Sequence, residues 1–349
     1  LIINRFLRPF LRTLSPQGRC IVKAVNTPVG RVVIIQRLAD NHAMQLLFLS
    51  QLFDVKAESN LALLTEAAIS EGHRVSWGSI DHLRLNHQRV QTQGFYEVAS
   101  SQNFERSGSA ATLDCLSFDC VWVLSLGERA SFLDKLQLLR IVEGQTRVIN
   151  STEALLPLRS KYALTQLSHL FQHPKTYGSR DPETLFKVIE AGGDWILKPP
   201  AGSLGQGVFL INRETSNYRD ILRHVNGIKR DQYVLLQAYI PEIKNGEKRV
   251  LLANGKLIGT YLRTQTDDHR TNLMQGATAQ ATVLSEEEVA LIDRLGEHCK
   301  TLGACFVGID LVYPFVIEIN VVNPGGLNTL DQLGAGKKAH LVIRHILSS

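Results

Sequence analysis

The sequence predicts an α/β protein in which an N-terminal domain built on an open parallel sheet is followed by a second domain that mixes strands and helices. Strand-like and helix-like segments alternate over residues 31–150, which is typical of a parallel sheet with crossover helices. Beyond residue 194, short strands resume around a glycine-rich loop and a tight hairpin. A chain of 349 residues is too long for one small core and favours two or three domains.

Composition argues against several classes of protein. Hydrophobic residues make up 44% and charged residues 20% of the chain, which is ordinary for a globular protein. No apolar run of about 18 residues occurs, so no transmembrane span is expected. The net charge of +5 is mild, and no basic stripe is interleaved with aromatic residues, so nucleic acid is not expected as a partner.

The five cysteines favour a reducing compartment, and we expect a cytoplasmic protein. Their number is odd and no CxxC pair occurs, which argues against a disulfide framework and a zinc site. Cysteine is among the residues most often buried, so these side chains are expected to fill the core. They are Cys20, Cys115, Cys120, Cys299 and Cys305.

Residues 1–30 are treated as an N-terminal extension. Residues 1–14 carry three arginines among apolar residues and no acid, as a transit peptide or a helix on a membrane surface would. Pro9 interrupts the helical pattern, so a docked arm or a linker fits equally well.

The first domain is predicted over residues 31–150. Its first buried strand is the β-branched run at 31–35, and apolar residues at helical spacing over 43–72 predict a long helix that ends at Gly72. Further strands are predicted at 73–77, 121–124 and 147–150. The region contains no GxGxxG, so it lacks the fingerprint of a dinucleotide-binding domain.

The second domain opens with a helix that is capped by Ser151 or Thr152 and is expected to contain Lys161. Asn254-Gly255 between two apolar runs is the strongest hairpin signal in the chain. The remaining elements are predicted as strands at 194–199, 208–211 and 234–240 and helices at 216–227 and 286–302.

Lys198 closes an apolar strand directly before the glycine-rich loop at 201–207. A lysine is costly to bury unless an anion pairs with it. Glycines allow close backbone approach, and the N–H groups of such a turn line a concavity that suits phosphate oxygens. The alternative is plain hairpin chemistry, and the acidic residues farther along the chain favour phosphate.

The last two predicted strands, around Asp310 and over Ile317–Asn320, meet at a turn that contains Pro314. Period-2 alternation puts Glu318 and Asn320 on one face, and Asp310 is close enough across the turn to join them. Two carboxylates and an amide oxygen suit Mg²⁺ held together with substrate phosphates. An acidic hairpin that only caps a sheet edge is the alternative.

Seven motifs occur in order along the chain. They are ILKP at 196–199, the loop at 202–207, QAYIP at 237–241, KRVLL at 248–252, RTNL at 270–273, FVGID at 306–310 and EINV at 318–321. Together they resemble the prokaryotic-type glutathione synthetases of the ATP-grasp superfamily. The resemblance is good over roughly residues 120–335 and weak over 31–120.

The resemblance implies a two-lobed ATP-grasp domain over 151–349, with a small lid lobe at about 172–235 and a metal-binding lobe at about 236–349. It implies ATP and two Mg²⁺ ions, with Mn²⁺ as an alternative. The implied reaction converts a small-molecule or peptide carboxylate to an acyl phosphate, which an amine attacks. Glycine and γ-glutamylcysteine are the leading pair. Such enzymes are often homo-oligomers, which the sequence leaves open.

The resemblance also assigns residues to the nucleotide. Lys161 and Lys198 correspond to the lysines that hold the ATP phosphates, and Glu247 to the acid that bonds the ribose. The flap over the triphosphate corresponds to Gly202, Ser203, Gly205 and Gly207. The hinge that contacts adenine corresponds to Gln237, Ala238, Tyr239 and Ile240.

The remaining assignments concern the metal and the reacting groups. Asp310, Glu318 and Asn320 match the metal ligands. The substrate carboxylate and the acyl phosphate are expected to be held by Arg249, Arg263 and Arg270, with Asn272 in the same loop. The polar segment 264–280 is the candidate lid that excludes water from the acyl phosphate.

The chain departs from the family pattern where the substrate is expected. Asn323-Pro324-Gly325-Gly326 stands where the family often has Ser-Pro-Thr, and Gly276-Ala277 stands where a glycine pair is expected. The family's arginine segment after its N-domain strand is shifted here to 124–129. Two further hypotheses therefore stay open. One is an ATP-grasp ligase with another acid or amine, as in peptide-tailoring or amino-acid-adding enzymes, and the other is a nucleotide-binding protein without turnover.

Overall fold

A computed structural model describes residues 20–27, 30–37, 43–52, 56–98, 111–200, 207–227, 232–265 and 276–348, with the backbone alone for 20–37. The chain divides into two compact units, Leu1–Ala43 and Met44–Ser349. Within the described ranges, no helix is long and apolar enough to cross a membrane.

The smaller unit contains a two-stranded antiparallel hairpin of β1 (Cys20–Thr27) and β2 (Gly30–Arg37). The predicted strand at 31–35 is therefore a strand, but it pairs with β1 and not with the parallel sheet. A short β-branched run predicts a strand but does not predict which strand it pairs with.

The N-terminal sheet of the larger unit has the strand order β5-β6-β4-β3-β8-β9, and β7 pairs with β6. Strands β4, β3, β8 and β9 are mutually parallel, as the sequence predicts, and β5, β6 and β7 add an antiparallel flap. The strands are β3 (Gln45–Ser50), β4 (Arg74–Ser79), β5 (Arg84–Asn86), β6 (Arg89–Phe95), β7 (Ala111–Asp114), β8 (Cys120–Val123) and β9 (Arg147–Ile149).

The predicted long helix over 43–72 is wrong in its first half. Residues 45–50 form the central strand β3, and the helix α1 (Asn60–Ser70) begins ten residues later, capped by Ser59. A strand that is buried on both faces is a continuous apolar run, and such a run fits a helical period as well as a strand.

Two antiparallel sheets follow. The four-stranded sheet has the order β10-β13-β11-β12, with β10 (Thr176–Ser179), β11 (Trp195–Lys198), β12 (Phe209–Ile211) and β13 (Val234–Ala238). The five-stranded sheet has the order β16-β15-β14-β17-β18, with β14 (Glu247–Ala253), β15 (Lys256–Thr264), β16 (Thr278–Ala281), β17 (Phe306–Val312) and β18 (Phe315–Asn320). The Asn254-Gly255 hairpin is confirmed, since both residues have positive φ, 48° and 76°.

Most of the helices alternate with strands along the chain. They are α2 (Phe132–Glu143), α3 (Thr152–Leu158), α4 (Pro182–Glu190), α5 (Tyr218–Asn226), α6 (Glu286–Thr301), α7 (Leu327–Gln332) and α8 (Lys338–Leu347). Short 3₁₀ turns occur at Ile80–His82, Cys115–Ser117, Arg129–Ser131, Ala163–Leu167 and Pro241–Asn245. The predicted helices at 216–227 and 286–302 correspond to α5 and α6. The domain boundaries near residues 150 and 235 stay predictions.

One asparagine joins the N-terminal sheet to the five-stranded sheet. The buried Asn150 side chain donates to Phe306 O at 2.8 Å and Val321 O at 2.7 Å, and it accepts from Phe306 N at 2.8 Å. Such a fully satisfied buried amide fixes the position of β17 relative to β9.

The cysteines described with side chains are unpaired. Cys115, Cys120 and Cys299 are buried, and burial raises the pKa of each thiol to about 12, so they are inert core residues, as expected. Cys305 is half-buried.

Candidate active site

The five-stranded sheet places a row of charged residues on neighbouring strands. Arg249 on β14 lies opposite Asp310 on β17, and Asp310 lies opposite Glu318 on β18. Glu247 on β14 lies opposite Arg263 on β15. Because cross-strand partners have side chains on one face, the register alone gathers these five residues.

The Asp310 carboxylate is the centre of this row. Its Oδ1 accepts from Arg249 Nε at 2.6 Å and pairs with Arg263 Nη2 at 2.8 Å, and its Oδ2 accepts from Arg249 Nη2 at 3.3 Å. Burial raises the pKa of Asp310, but the two arginines outweigh burial and hold the pKa below its usual value. A charged carboxylate is thus retained in a buried site.

Arg263 completes the network together with Glu247. Its Nη2 donates to Glu247 Oε2 at 2.5 Å, and both side chains are buried. Burial lowers the pKa of Arg263, while Asp310 and Glu247 raise it more, so the guanidinium stays charged. The buried Arg263 Nε has no hydrogen-bond partner among the described residues. Such an unsatisfied donor is available to an incoming oxygen ligand.

Lys161 faces the same row from outside the sheet. Its Nζ donates to Glu318 Oε1 at 3.1 Å, and the Glu318 side chain is 29% exposed. The sequence predicted a helix containing Lys161, but α3 ends at Leu158, one residue after Pro157. Lys161 lies in the following turn, where its backbone N donates to Pro200 O at 3.1 Å and so ties it to the end of β11.

Lys198 lies in a buried polar chain with Gln237 and His173. Lys198 Nζ donates to Gln237 Oε1 at 2.6 Å, and Gln237 Nε2 lies 3.1 Å from His173 Nε2. Burial and the charge of Lys198 lower the pKa of His173 to about 4, so its ring is neutral and accepts from the amide. Burial and Lys161 lower the pKa of Lys198 to about 8.

The predicted hinge at 237–240 leaves one backbone donor without a partner among the described residues. Ala238 N donates to Lys175 O at 2.8 Å, and Tyr239 N donates to Asp194 O at 2.9 Å. No hydrogen bond from Ile240 N to a described residue is formed, although its carbonyl accepts from Ile243 N at 3.1 Å. The Ile240 amide is therefore the donor that this segment offers to a ligand.

The residues predicted to hold metal provide oxygen donors, and each of them also contacts a neighbouring side chain. Asn320 Nδ2 donates to Asp310 Oδ2 at 3.4 Å, which leaves the Asn320 amide oxygen for another partner. No group of three or more His, Cys, Asp or Glu side chains that would hold a metal occurs among the described residues. Two carboxylates and one amide oxygen suit a hard cation that keeps water and phosphate ligands, so the donor set fits Mg²⁺.

The turn that departs from the family pattern is held between two regions. Asn60 Nδ2 on α1 donates to Asn323 Oδ1 at 2.8 Å and to Pro324 O at 2.9 Å. On the other side, Arg249 Nη1 donates to Gly325 O at 3.1 Å. The turn thus links α1 directly to an arginine of the charged row.

Several predicted site residues lie outside the described part of the chain. They are Gly202, Ser203, Gly205, Arg270 and Asn272, together with most of the predicted lid at 264–280. Gly207 is described and has a φ of 67°. Sequence reasoning missed His173, because an isolated polar residue outside helices and strands carries no periodic signal.

Comparison with known proteins gives one consistent family. A model of the prokaryotic glutathione synthetase ATP-grasp domain matches residues 160–335. The glutathione synthetase of Prochlorococcus marinus subsp. pastoris is 30% identical over 233 residues, which cover 66% of this chain and 75% of the relative. That of Rhodopseudomonas palustris is 28% identical over 292 residues, or 80% of this chain and 90% of the relative.

Solved structures agree on the fold. A RimK domain ATP-grasp protein from Sphaerobacter thermophilus superposes with a TM-score of 0.62 at 20% identity, covering 87% of this chain and 99% of that one. The D-cycloserine synthetase DcsG superposes with a TM-score of 0.63 at 17% identity, covering 86% of this chain and 99% of that one. This chain therefore belongs to the prokaryotic glutathione synthetase family and is an ATP-dependent carboxylate–amine ligase with the ATP-grasp fold.

Proposed function

We propose that this ligase joins the amine of glycine to the cysteinyl carboxylate of γ-glutamylcysteine. The observation that carries the proposal is the charged row on β14, β15, β17 and β18, which two buried lysines face. The sequence relatives are glutathione synthetases, and two of them align over 66% and 80% of this chain. We also propose a cytoplasmic location, in keeping with the unpaired cysteines.

In this proposal the two lysines bind the nucleotide phosphates. Lys198 closes β11, and Lys161 is tied to the end of the same strand through Pro200. Burial and Lys161 together lower the pKa of Lys198, and added phosphate charge would relieve that repulsion. Gln237 Oε1 accepts from Lys198 Nζ at 2.6 Å and so fixes the position of the ammonium.

Adenine would lie against the hinge. The Ile240 N–H supports this assignment, since the neighbouring amides of Ala238 and Tyr239 already donate within the protein. Glu247 is proposed to contact the ribose. Its buried carboxylate lies on the charged row, where Oε2 accepts from Arg263 Nη2 at 2.5 Å.

Asp310, Glu318 and Asn320 would hold the divalent metal. When bound, such an ion supplies positive charge to the phosphate oxygens. Asp310 must then share its oxygens with Arg249 and Arg263, so both arginines would lie beside the reacting carboxylate and stabilise negative charge there. Arg270 and Asn272, which lie outside the described residues, are proposed to assist from the segment that follows β15 in the sequence.

The testing experiment is a screen of acids and amines with purified full-length protein, read as release of ADP. The proposed pair should give turnover, and omission of either substrate should lower it to background. Turnover with another pair only would show a ligase with a different acid or amine. Bound ATP without turnover on any pair would favour a nucleotide-binding protein, and either result would overturn the proposed substrates.

A further inference from the structure

Tyr261 on β15 is a buried side chain that the proposed chemistry does not use. The residue is 2% exposed and belongs to an apolar cluster that includes Leu251 and, on α7, Leu327. A phenylalanine would fill the same space, so packing accounts for the ring but not for the hydroxyl. Tyr261 Oη forms no hydrogen bond with a residue in the described part of the chain. Buried tyrosine hydroxyls usually find a partner, because removing a polar group from water without a hydrogen bond costs free energy. An exception therefore points to an acceptor that a ligand brings.

The strand register places Tyr261 beside the charged row of the five-stranded sheet. Tyr261 lies directly opposite Arg249 on β14. Arg263 follows two residues later on β15, opposite Glu247. Side chains alternate along a strand and cross-strand partners share a face, so Tyr261 projects from the same face as both arginines.

The hydroxyl lies against the turn in which the chain departs from its family. A Cβ placed on Gly326 would lie 3.0 Å from both Tyr261 Oη and Tyr261 Cε1, so this glycine makes room for the phenol. The carbonyl of the preceding residue, Gly325, accepts from Arg249 Nη1 at 3.1 Å. The phenol and the Arg249 guanidinium therefore approach the same two residues of the turn.

A second buried donor on this face also lacks a partner. Arg263 Nε has no hydrogen-bond acceptor among the residues that the structure describes. The Cα atoms of Arg263 and Tyr261 are separated by about 7 Å, twice the rise per residue of a strand. Two donors without acceptors on one face favour a ligand that carries more than one oxygen. An acid that contains an amide bond, such as a dipeptide, is a ligand of this kind.

We propose that the Tyr261 hydroxyl donates a hydrogen bond to an oxygen of the acid substrate and so helps to select that acid. This inference rests on the proposed function, in which Arg249 and Arg263 lie beside the reacting carboxylate. The accepting oxygen has two sources, the reacting carboxylate or the amide carbonyl that precedes it in γ-glutamylcysteine. A polar group retained at a cost to stability is typical of binding sites.

The test compares Tyr261→Phe with Tyr218→Phe in the full chain. Tyr261→Phe removes only the hydroxyl without a partner, so the midpoint of thermal unfolding should stay constant or rise. The kcat/KM for the acid should fall about three- to tenfold, the size of one neutral hydrogen bond. The KM values for ATP and glycine should stay within about twofold of the wild-type values.

Tyr218 is the matched control because it is buried and its hydroxyl is bonded within the protein. Its Oη donates to Glu190 Oε1 at 3.3 Å and accepts from Arg219 Nε at 3.2 Å. Tyr218→Phe should therefore lower the unfolding midpoint and leave the kcat/KM for the acid unchanged.

The kinetics of Tyr261→Phe also identify the accepting oxygen. A contact with the amide carbonyl is made equally in the ground state and the transition state, so its loss should raise the KM for the acid and leave kcat unchanged. A contact with the reacting carboxylate strengthens as the acyl phosphate forms, so its loss should lower kcat. Unchanged kcat/KM for the acid, an effect on the KM for ATP or glycine alone, or an unfolding midpoint lowered as in Tyr218→Phe would overturn the inference.

Failure of this inference is distinct from failure of the proposed function. Wild-type turnover with glycine and γ-glutamylcysteine, together with unaltered Tyr261→Phe kinetics, removes the role of Tyr261 and leaves the function. Absence of wild-type turnover with that pair removes the function. The two variants are then assayed with the pair found in the screen, where the kcat/KM for the acid decides the role of Tyr261.

Discussion

The two polar centres of this molecule are built in different ways. In the five-stranded sheet, Arg249, Asp310 and Glu318 lie on three adjacent strands and meet through their register. In the N-terminal sheet, Asp81 follows β4 and Gln51 follows β3. The first kind of centre leaves a periodic pattern in the sequence, whereas the second depends on how separate loops fold over one edge.

The N-terminal centre ties together the loops at the carboxyl edge of the parallel sheet. Asp81 accepts from Lys135 Nζ, from Gln51 Nε2 at 3.2 Å and from Glu128 N at 3.3 Å. Lys135 is buried and also donates to Leu126 O at 3.0 Å. Gly127 has a φ of 61°, and a Cβ there would collide with the Asp81 carboxylate. Ligands of parallel α/β sheets bind at this edge, so the centre shapes the region where the chain departs from its family.

The largest expected effect is on the free energy of unfolding, which should fall more when the charged row loses Asp310 than when the N-terminal centre loses Asp81. Asp310→Asn leaves Arg249 and Arg263 buried without their shared carboxylate, which should lower the free energy of unfolding by about 3–5 kcal/mol. Asp81→Asn removes a charge that is 29% exposed, and the buried Lys135 keeps its bond to Leu126 O and gains an amide oxygen in place of the carboxylate, so a smaller loss of about 1–2 kcal/mol is expected. Urea unfolding of both variants measures the difference. Equal losses would contradict the contrast between a buried strand network and a loop centre.

Glu318→Gln tests the chemistry of the charged row on the five-stranded sheet, without the loss of stability expected for Asp310→Asn. Glu318 is part-exposed and pairs with Lys161, and the amide can still accept that hydrogen bond. Turnover should fall about a hundredfold or more, since the charge of a bound ion contributes several kcal/mol. ADP release measures the rate, and thermal unfolding checks the fold. Glu214→Gln, an exposed acid, is the control; if both variants kept wild-type rates, the metal assignment of Glu318 would be lost.

The comparison also explains what the sequence could predict. Glu318 and Asn320 fall on one face because strands have a period of two, and Asn254-Gly255 fixes the hairpin that aligns β14 with β15. The strand β3 was mistaken for a helix because burial on both faces erases that period. The predicted helix containing Lys161 is wrong, because α3 ends at Leu158 and Lys161 lies in the turn that follows, where its backbone N donates to Pro200 O.

A smaller effect concerns pH. The pKa of Lys198 is lowered to about 8, chiefly by burial, and bound phosphate favours the ammonium and raises that pKa. Binding of ATP must therefore take up a proton once the free protein has lost it. The affinity for ATP should fall by at most about tenfold per pH unit above about pH 8, and it should become independent of this group at lower pH. Titration calorimetry in two buffers of different ionisation enthalpy counts the proton. A proton count unchanged by Lys198→Met would assign the uptake to another group.

The smallest expected effect sharpens what holds Lys198 in place. The neutral His173 accepts from Gln237 Nε2, and this fixes the amide so that its oxygen faces the lysine. His173→Ala removes the acceptor and frees the amide to turn. The KM for ATP should rise about two- to tenfold with kcat little changed, the size of one neutral hydrogen bond. His169→Ala, an exposed histidine that stacks edge-on with His298, is the matched control. The hydrogen bonds from His173 through Gln237 reach Lys198 at the end of β11. An unchanged KM for ATP would therefore mean that β11 alone positions the lysine, without help from these hydrogen bonds.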